Sequence, residues 1–210
     1  MTSSGETTIK RARGAIVLAI ALMCAVVAVW LVARAGGPGL NHTAIDQYRL
    51  VTADGRPFDR KELIGSPSVM YFGFTRCPDM CPMMISRLIA ARRTLGGDAA
   101  DVPIIFVTID PEYDTPARLK TFVSTFDAPV IALTGTPEAI DRAADKAAVF
   151  VKHVKLPNGE DTIEHTTSAF VYDRDGDFVD AVLPGDSQQA ILDRLRRVIA
   201  QPQATASGVI

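Results

Sequence analysis

The chain has 210 residues, with 22 Lys or Arg against 24 Asp or Glu and a formal net charge of −2. That length holds one domain plus appendages. The near-neutral balance, with no dense basic patch, speaks against a nucleic-acid partner.

Residues 1–14 carry Lys10, Arg11 and Arg13 and lead into AIVLAIALMCAVVAVWLVA at 15–33, an uninterrupted apolar run of 19. At 1.5 Å per residue this run reaches about 28 Å, close to the roughly 30 Å of a bilayer core. Trp30 lies near one end, where an interfacial aromatic is expected, and only Arg34 follows closely. The positive-inside rule then leaves the N-terminus in the cytoplasm and the remainder outside. The run exceeds the 7–15 residues usual for the apolar part of a cleaved signal, so an uncleaved transmembrane anchor over 15–34 is expected. The 14 residues ahead of it leave no room for an Arg-rich transit peptide as well. The expected location is therefore a bacterial inner membrane, with the soluble domain on the periplasmic side. Cys24, inside the run, reads as a small apolar residue in lipid.

Setting residues 1–35 aside removes four of the 22 basic residues and one of the 24 acidic ones, leaving 18 and 23, a net −5. Such a domain is not drawn to anionic lipid by its own charge. Residues 35–44, AGGPGLNHTA, have the composition of a flexible tether, and 201–210 that of a disordered tail.

The folded region is expected over 45–200. Residues 47–58 carry a turn at Asp54-Gly55 between two short extended pieces, a hairpin signal. Val69–Phe74 is an apolar and aromatic strand. A helix is expected from near Pro78, with Cys81, Met84, Ile85, Leu88 and Leu95 at helical spacing. Residues 103–109 and 129–133 are continuous apolar runs, as parallel strands buried on both faces require. Thr115-Pro116 and Thr136-Pro137 each place an N-cap threonine before a proline at the first helical position. Residues 152–167, KHVKLPNGEDTIEHTT, read as irregular. Strands at 168–172 and 177–182 then pair around Asp175-Gly176. A last helix starts at Ser187, with Ile191, Leu192, Leu195, Val198 and Ile199 in one stripe. This order gives an α/β, thioredoxin-like mixed sheet with helices on both faces, preceded by one transmembrane helix.

The chemistry lies at the first strand-to-helix junction, YFGFTRCPDMCPMM at 71–84. Cys77 is expected at or beside the helix N-cap and Cys81 one turn inside, on the same face, with alpha carbons roughly 6 Å apart. That separation allows a disulfide. The helix N-terminus favours a thiolate at Cys77, and Arg76 would add to this if it turned inward. A low-pKa thiolate suits thiol–disulfide exchange or soft-metal binding. Two thiolates select Cu(I) or zinc, and a closed structural zinc site would need four ligands. Of the three histidines, His42 falls in the tether and His153 reads as a loop residue. His165 precedes the SAFVYD strand, in the loop that this fold brings over the cysteine-bearing helix, and is read as a third ligand.

Beyond the single site, several segments resemble the Sco/SenC family of membrane-anchored copper proteins: DGRPF, YFGFTRCPDMCP, FVTIDPEYDTP, LTGTPEAI and HTTSAFVYDRDGDFV, over about residues 45–200. The resemblance implies one copper ion per domain, held by Cys77, Cys81 and His165, with Cu(I) expected and Cu(II) left open. It also implies a part in maturing the dinuclear copper site of cytochrome c oxidase subunit II, or of another copper-accepting protein. Members of the family are described as copper donors, as thiol reductases of the target's cysteines, or as both. Asp79 matches the aspartate of CPDxCP, where charge complementation at the helix start suffices as its role. Asp110 matches the DPExDTP motif and reads as a loop-shaping carboxylate. Glu164 stands where the family usually has aspartate.

A metallochaperone is therefore the first expectation, and a thiol–disulfide oxidoreductase using Cys77 and Cys81 is the alternative. Ordinary thioredoxin-like reductases resemble one another in CxxC and in a proline before the late strand. Here the spacing is CxxxC, and 164–168 (EHTTS) has no proline. A peroxiredoxin-type peroxidase ranks lower, because Thr75 stands two rather than three residues before Cys77. A purely structural disulfide would close too short a loop to stabilise much.

Overall fold

The structure, a computed structural model, describes residues 50–201 except 59, 100, 101, 158 and 160, together with Met23. The expected anchor at 15–34 lies outside the described residues apart from Met23, which is helical, as do the tether and nearly all of the tail. Among the described residues no helix is long and apolar enough to cross a membrane.

Among residues 50–201, eight strands and four α-helices are described in chain order. They are β1 (Val51–Thr52), β2 (Ser68–Gly73), α1 (Met80–Leu95), β3 (Ile104–Thr108), α2 (Pro116–Val123), β4 (Ile131–Thr134), α3 (Pro137–Lys146), β5 (Val151–Lys155), β6 (Asp161–His165), β7 (Ala169–Tyr172), β8 (Phe178–Val182) and α4 (Gln188–Ile199). Six strands form one sheet in the order β1-β4-β3-β2-β7-β8. Strands β2, β3 and β4 are parallel, while β1, β7 and β8 each run antiparallel to their neighbour. This is the mixed, thioredoxin-like sheet the sequence predicts.

Burial on both faces explains the unbroken apolar runs. Every residue of β2 and β3 is buried, and alternation sends successive side chains to opposite layers. Val69, Tyr71, Ile104 and Phe106 pack with α1, α4 and Leu119 of α2. Met70, Phe72, Ile105 and Val107 pack with Ile140, Ala143 and Ala144 of α3. Helices α2, α3 and α4 begin where their caps direct. Thr115, Thr136 and Ser187 each accept a hydrogen bond from the backbone N–H three residues on, at 3.3, 3.3 and 3.1 Å.

The turn at Asp54-Gly55 is as expected: among the described residues it is closed by an antiparallel bridge between Val51 and Pro57, with the Thr52 N–H donating to Arg56 O at 2.8 Å and the Phe58 N–H to Leu50 O at 2.9 Å, and Val51–Thr52 also pairs with β4. One expectation is corrected. The stretch read as irregular at 152–167 is instead largely a separate two-stranded ribbon, β5–β6, with Val151 opposite His165 and Lys155 opposite Asp161. Its pattern escapes a search for apolar periodicity because, of its ten strand residues, Ile163 alone is buried. The β7–β8 turn is as expected. Asp173 Oδ1 accepts the N–H groups of Asp175 and Asp177 at 3.0 and 2.9 Å, and Gly176 takes φ +82°.

Candidate functional site

After Gly73 the chain leaves the sheet and turns on itself, and the Cys77 N–H donates to the Phe74 carbonyl at 3.1 Å. Helix α1 has Asp79 as its N-cap. Cys77 therefore lies two residues ahead of the cap and Cys81 is the second helical residue, a correction to the expected positions. The reason is Pro82. Starting at Pro78 would make Pro82 the fifth helical residue, where its missing N–H breaks a hydrogen bond and its ring clashes. Starting at Met80 makes it the third, among the N–H groups that have no helical partner anyway.

This placement still gathers donors around Cys77. The Asp79 side chain makes no capping bond, and the N–H groups of Asp79 and Cys81 reach the Cys77 sulfur. The largest influence is the hydrogen bond from the Cys81 side chain. Against partial burial, and with help from His165 and those two N–H groups, it pulls the Cys77 thiol down to about 4. Cys81 moves the opposite way, because it donates to Cys77 and is fully buried, and its pKa rises far above the ordinary thiol range. Both are free thiols. The pair is thus polarised into a half-buried thiolate and a buried thiol.

His165 closes β6, and its Nδ1 lies 2.8 Å from the Thr166 carbonyl. A carbonyl only accepts, so Nδ1 donates to it and Nε2 is the ring nitrogen left for a second partner. The ring stands edge-on to Phe74 and Tyr71, with centroids 5.7 and 6.3 Å away. The ribbon base is tied down by Thr166 N–H to Phe150 O at 3.0 Å and Phe150 N–H to Thr166 Oγ1 at 2.9 Å. Cys77, Cys81 and His165 are thus brought together pairwise, through Cys77. Among the described residues no three His, Cys, Asp or Glu side chains converge closely enough to hold a metal ion as they stand. The donor set nonetheless fits a soft monovalent ion: a thiolate, a second sulfur and an imidazole nitrogen.

The other candidates sort clearly. His153 is exposed on β5 opposite Ile163, while His42 and Cys24 lie outside the described residues. Asp79 is exposed at the N-cap. Arg76 turns away from the thiolate: its Nη2 lies 2.6 Å from Asp110 Oδ2, and its guanidinium sits 4.2 Å over the Tyr113 ring. Asp110 shapes the loop as expected, its carbonyl also receiving the N–H groups of Tyr113 and Asp114 at 3.1 and 2.7 Å.

Three supporting residues escape a reading of the sequence. Asp114, fully buried, accepts hydrogen bonds from the Thr75 N–H at 2.9 Å, from the Thr75 hydroxyl and from the Thr108 hydroxyl at 2.6 Å. Tyr71 donates its hydroxyl to Cys81 Sγ at 3.6 Å. Gly73 leaves room for that sulfur, since a Cβ there would come within 2.8 Å of it. The available signal was a tyrosine in a fully buried strand, whose hydroxyl must find a partner.

Known proteins share this fold. The SCO1/SenC family model matches residues 38–200. A SCO2-like protein of Rickettsia felis is 32% identical over 154 residues, covering 71% of this chain and 74% of the relative. The mitochondrial protein SCO2 of Saccharomyces cerevisiae is 33% identical over 156 residues, 72% of this chain and 52% of its own length. Among solved structures, Bradyrhizobium japonicum ScoI with copper bound superposes with a TM-score of 0.64 at 34% identity, over 72% of this chain and 96% of that one. Yeast Sco1 with copper bound gives 0.65 at 30%, over 75% and 89%. BsSco, described as a member of the Sco family of cytochrome c oxidase assembly proteins with a disulfide switch, gives 0.60 at 26%, over 79% and 98%. A thiolate–thiol–imidazole cluster at the mouth of a thioredoxin-like sheet, with a family match running nearly the length of the described fold, makes this chain a member of the SCO1/SenC family.

Proposed function

We propose that the protein is a copper metallochaperone that carries one copper ion on Cys77, Cys81 and His165 and delivers it during assembly of the dinuclear copper site of cytochrome c oxidase subunit II. The observation that carries this reading is the meeting of the half-buried Cys77 sulfur with both Cys81 and His165, which together with two backbone N–H groups draw its pKa down. Copper-bound relatives of the same fold support it.

The chain's own residues divide the work. Cys77, half exposed, offers the first sulfur without having to lose a proton. Cys81 gives up its proton as it becomes a ligand, which makes loading depend on pH. His165, oriented by the Thr166 carbonyl, presents Nε2. Being the hardest of the three donors, it is the one that an incoming thiol of the target displaces first. The apolar run at 15–33, flanked by Lys10, Arg11 and Arg13, supports an anchored protein with this domain on the periplasmic side of a bacterial inner membrane.

The test is a Cu(I) competition titration against a chelator, on the reduced full chain beside Cys77→Ser, Cys81→Ser and His165→Ala. One equivalent bound tightly, lost in either cysteine variant and weakened in the histidine variant, is expected. Unchanged binding in His165→Ala, or no specific binding at all, sinks the copper reading.

A second reading, reduction of the target's copper-ligand disulfide, is favoured by the polarisation of the pair. A half-buried thiolate attacks and a buried thiol resolves, as dithiol exchange needs. BsSco and its disulfide switch support it for a relative.

A further inference from the structure

One buried hydroxyl lies against the cysteine pair. Tyr71 sits in the middle of β2, fully buried, and its O–H donates to Cys81 Sγ over 3.6 Å, a reach that the larger radius of sulfur allows. Its ring is fixed from two sides, edge-on to His165 at 6.3 Å and against Phe106 at 6.4 Å. Strand β2 is hydrogen-bonded to β3 on one side and β7 on the other, with Tyr71 paired to Phe106 and Ala169. The hydroxyl therefore belongs to a buried side chain on a strand paired along both edges, with little room to follow a sulfur that moves away.

We propose that Tyr71 is a positioning residue that biases the Cys77–Cys81 pair toward its reduced form by keeping a hydrogen bond on the Cys81 sulfur. The inference rests on the reading in which this pair cycles between dithiol and disulfide. In the exchange, the Cys77 thiolate attacks one sulfur of a disulfide, R–S–S–R, and releases R–S⁻. The Cys81 thiol then displaces the second sulfur and its proton leaves with it as R–SH. The pair ends as an internal disulfide, two electrons having passed to R–S–S–R. In that disulfide the Cys81 sulfur is a weaker acceptor and is drawn toward Cys77. The Tyr71 hydroxyl then has a poor partner in a place where water cannot replace it, and an unpaired buried donor is costly. The cost falls on the oxidised form alone. Because free thiols are what a copper ion requires, the same bond keeps the site receptive.

The experiment equilibrates the full chain, in a Cys24→Ser background, with mixtures of reduced and oxidised glutathione at pH 7. Thiols are trapped with a maleimide and counted by mass. Tyr71→Phe keeps the ring and removes only the donor. The variant is expected to become half oxidised at a glutathione poise about 3- to 10-fold more reducing, or about 15–30 mV more negative. Its thermal midpoint should rise in the oxidised form, where the stranded hydroxyl is removed, and fall in the reduced form, where a hydrogen bond is lost, a split that a purely structural role does not produce. An unchanged or more positive midpoint potential overturns the inference and leaves the redox reading standing. If the parent chain forms no Cys77–Cys81 disulfide at any poise, the redox reading fails and the inference falls with it.

Discussion

The Asp114 carboxylate, on the loop after β3, takes the backbone N–H of Thr75 at 2.9 Å and so fixes the chain two residues before Cys77. It is fully buried, with the Thr75 and Thr108 hydroxyls as further donors. Charged acceptors of this kind make strong hydrogen bonds, and removing one strands every donor that faced it. Asp114→Ala is expected to cost about 3 kcal/mol, or about 10 °C in Tm for a domain of this size. It should also slow alkylation of Cys77 at pH 5, because the turn presenting that sulfur to its donors loosens. A destabilised variant whose alkylation profile stays that of the parent would limit Asp114 to stability.

Gly73 is defined by what stands over it. A Cβ would meet Cys81 Sγ at 2.8 Å, Phe106 Cε2 at 2.9 Å and Tyr71 Cε1 at 3.1 Å, and none of these belongs to a side chain free to swing aside. Gly73→Ala is expected to destabilise the fold by about 1–3 kcal/mol, as overpacking does, and to raise the reactivity of the normally buried Cys81. Urea unfolding and maleimide labelling under native conditions read the two effects. A variant with the parent's urea midpoint and an unlabelled Cys81 would show that the helix start yields without strain.

What the sequence makes legible is what repeats or caps. The strands 69–74, 103–109 and 129–133 stand out because parallel strands bury both faces. The Thr-Pro starts stand out because a cap and a proline act locally. Cys77, Cys81 and His165 stand out in the sequence through their chemistry, and the structure brings His165 to the turn that carries Cys77, ahead of the first helix. The exact start of α1 was also within reach, since Pro82 forbids an earlier one, but a count of apolar spacing passes over it. The ribbon β5–β6 was not legible, because pairing between exposed polar strands leaves almost no apolar imprint. Asp114 and Tyr71 were not legible either. Their roles depend on contacts across 39 and 10 residues, and an aspartate in a loop or an aromatic in a strand has many ordinary uses.

Thr166 tests how His165 is aimed. Its carbonyl faces Nδ1 at 2.8 Å, and its hydroxyl accepts the Phe150 N–H at 2.9 Å, which holds the residue against the ribbon base. Thr166→Val keeps the shape and the carbonyl but removes that acceptor. The expected result is a Cu(I) affinity intermediate between those of the parent and His165→Ala, with little loss of Tm. Affinity equal to the parent's would mean that the carbonyl alone orients the ring.

The polarised thiol pair makes a signed prediction about pH. An ordinary cysteine titrates near 9.0, and Cys77 in the folded protein near 4. Between those values the unfolded chain holds a proton at Cys77 that the native protein does not. Stability therefore rises with pH across this window, is complete above about 9, and is lost as pH falls through 4. Cys81 has the opposite sign, since its folded value is raised: its contribution is complete below the ordinary value and declines only above it. The two do not cancel between pH 5 and 8. Urea midpoints measured over that range should climb more steeply for the parent than for Cys77→Ser, with contributions from histidine removed by the comparison. Alkylation of Cys77, followed by mass, should proceed at pH 5 at close to its neutral rate, where an ordinary thiol is nearly inert. Equal urea slopes in the two proteins, or alkylation that fades below pH 8, would mean that Cys77 is a protonated thiol. Loading copper would then have to release a proton from each cysteine.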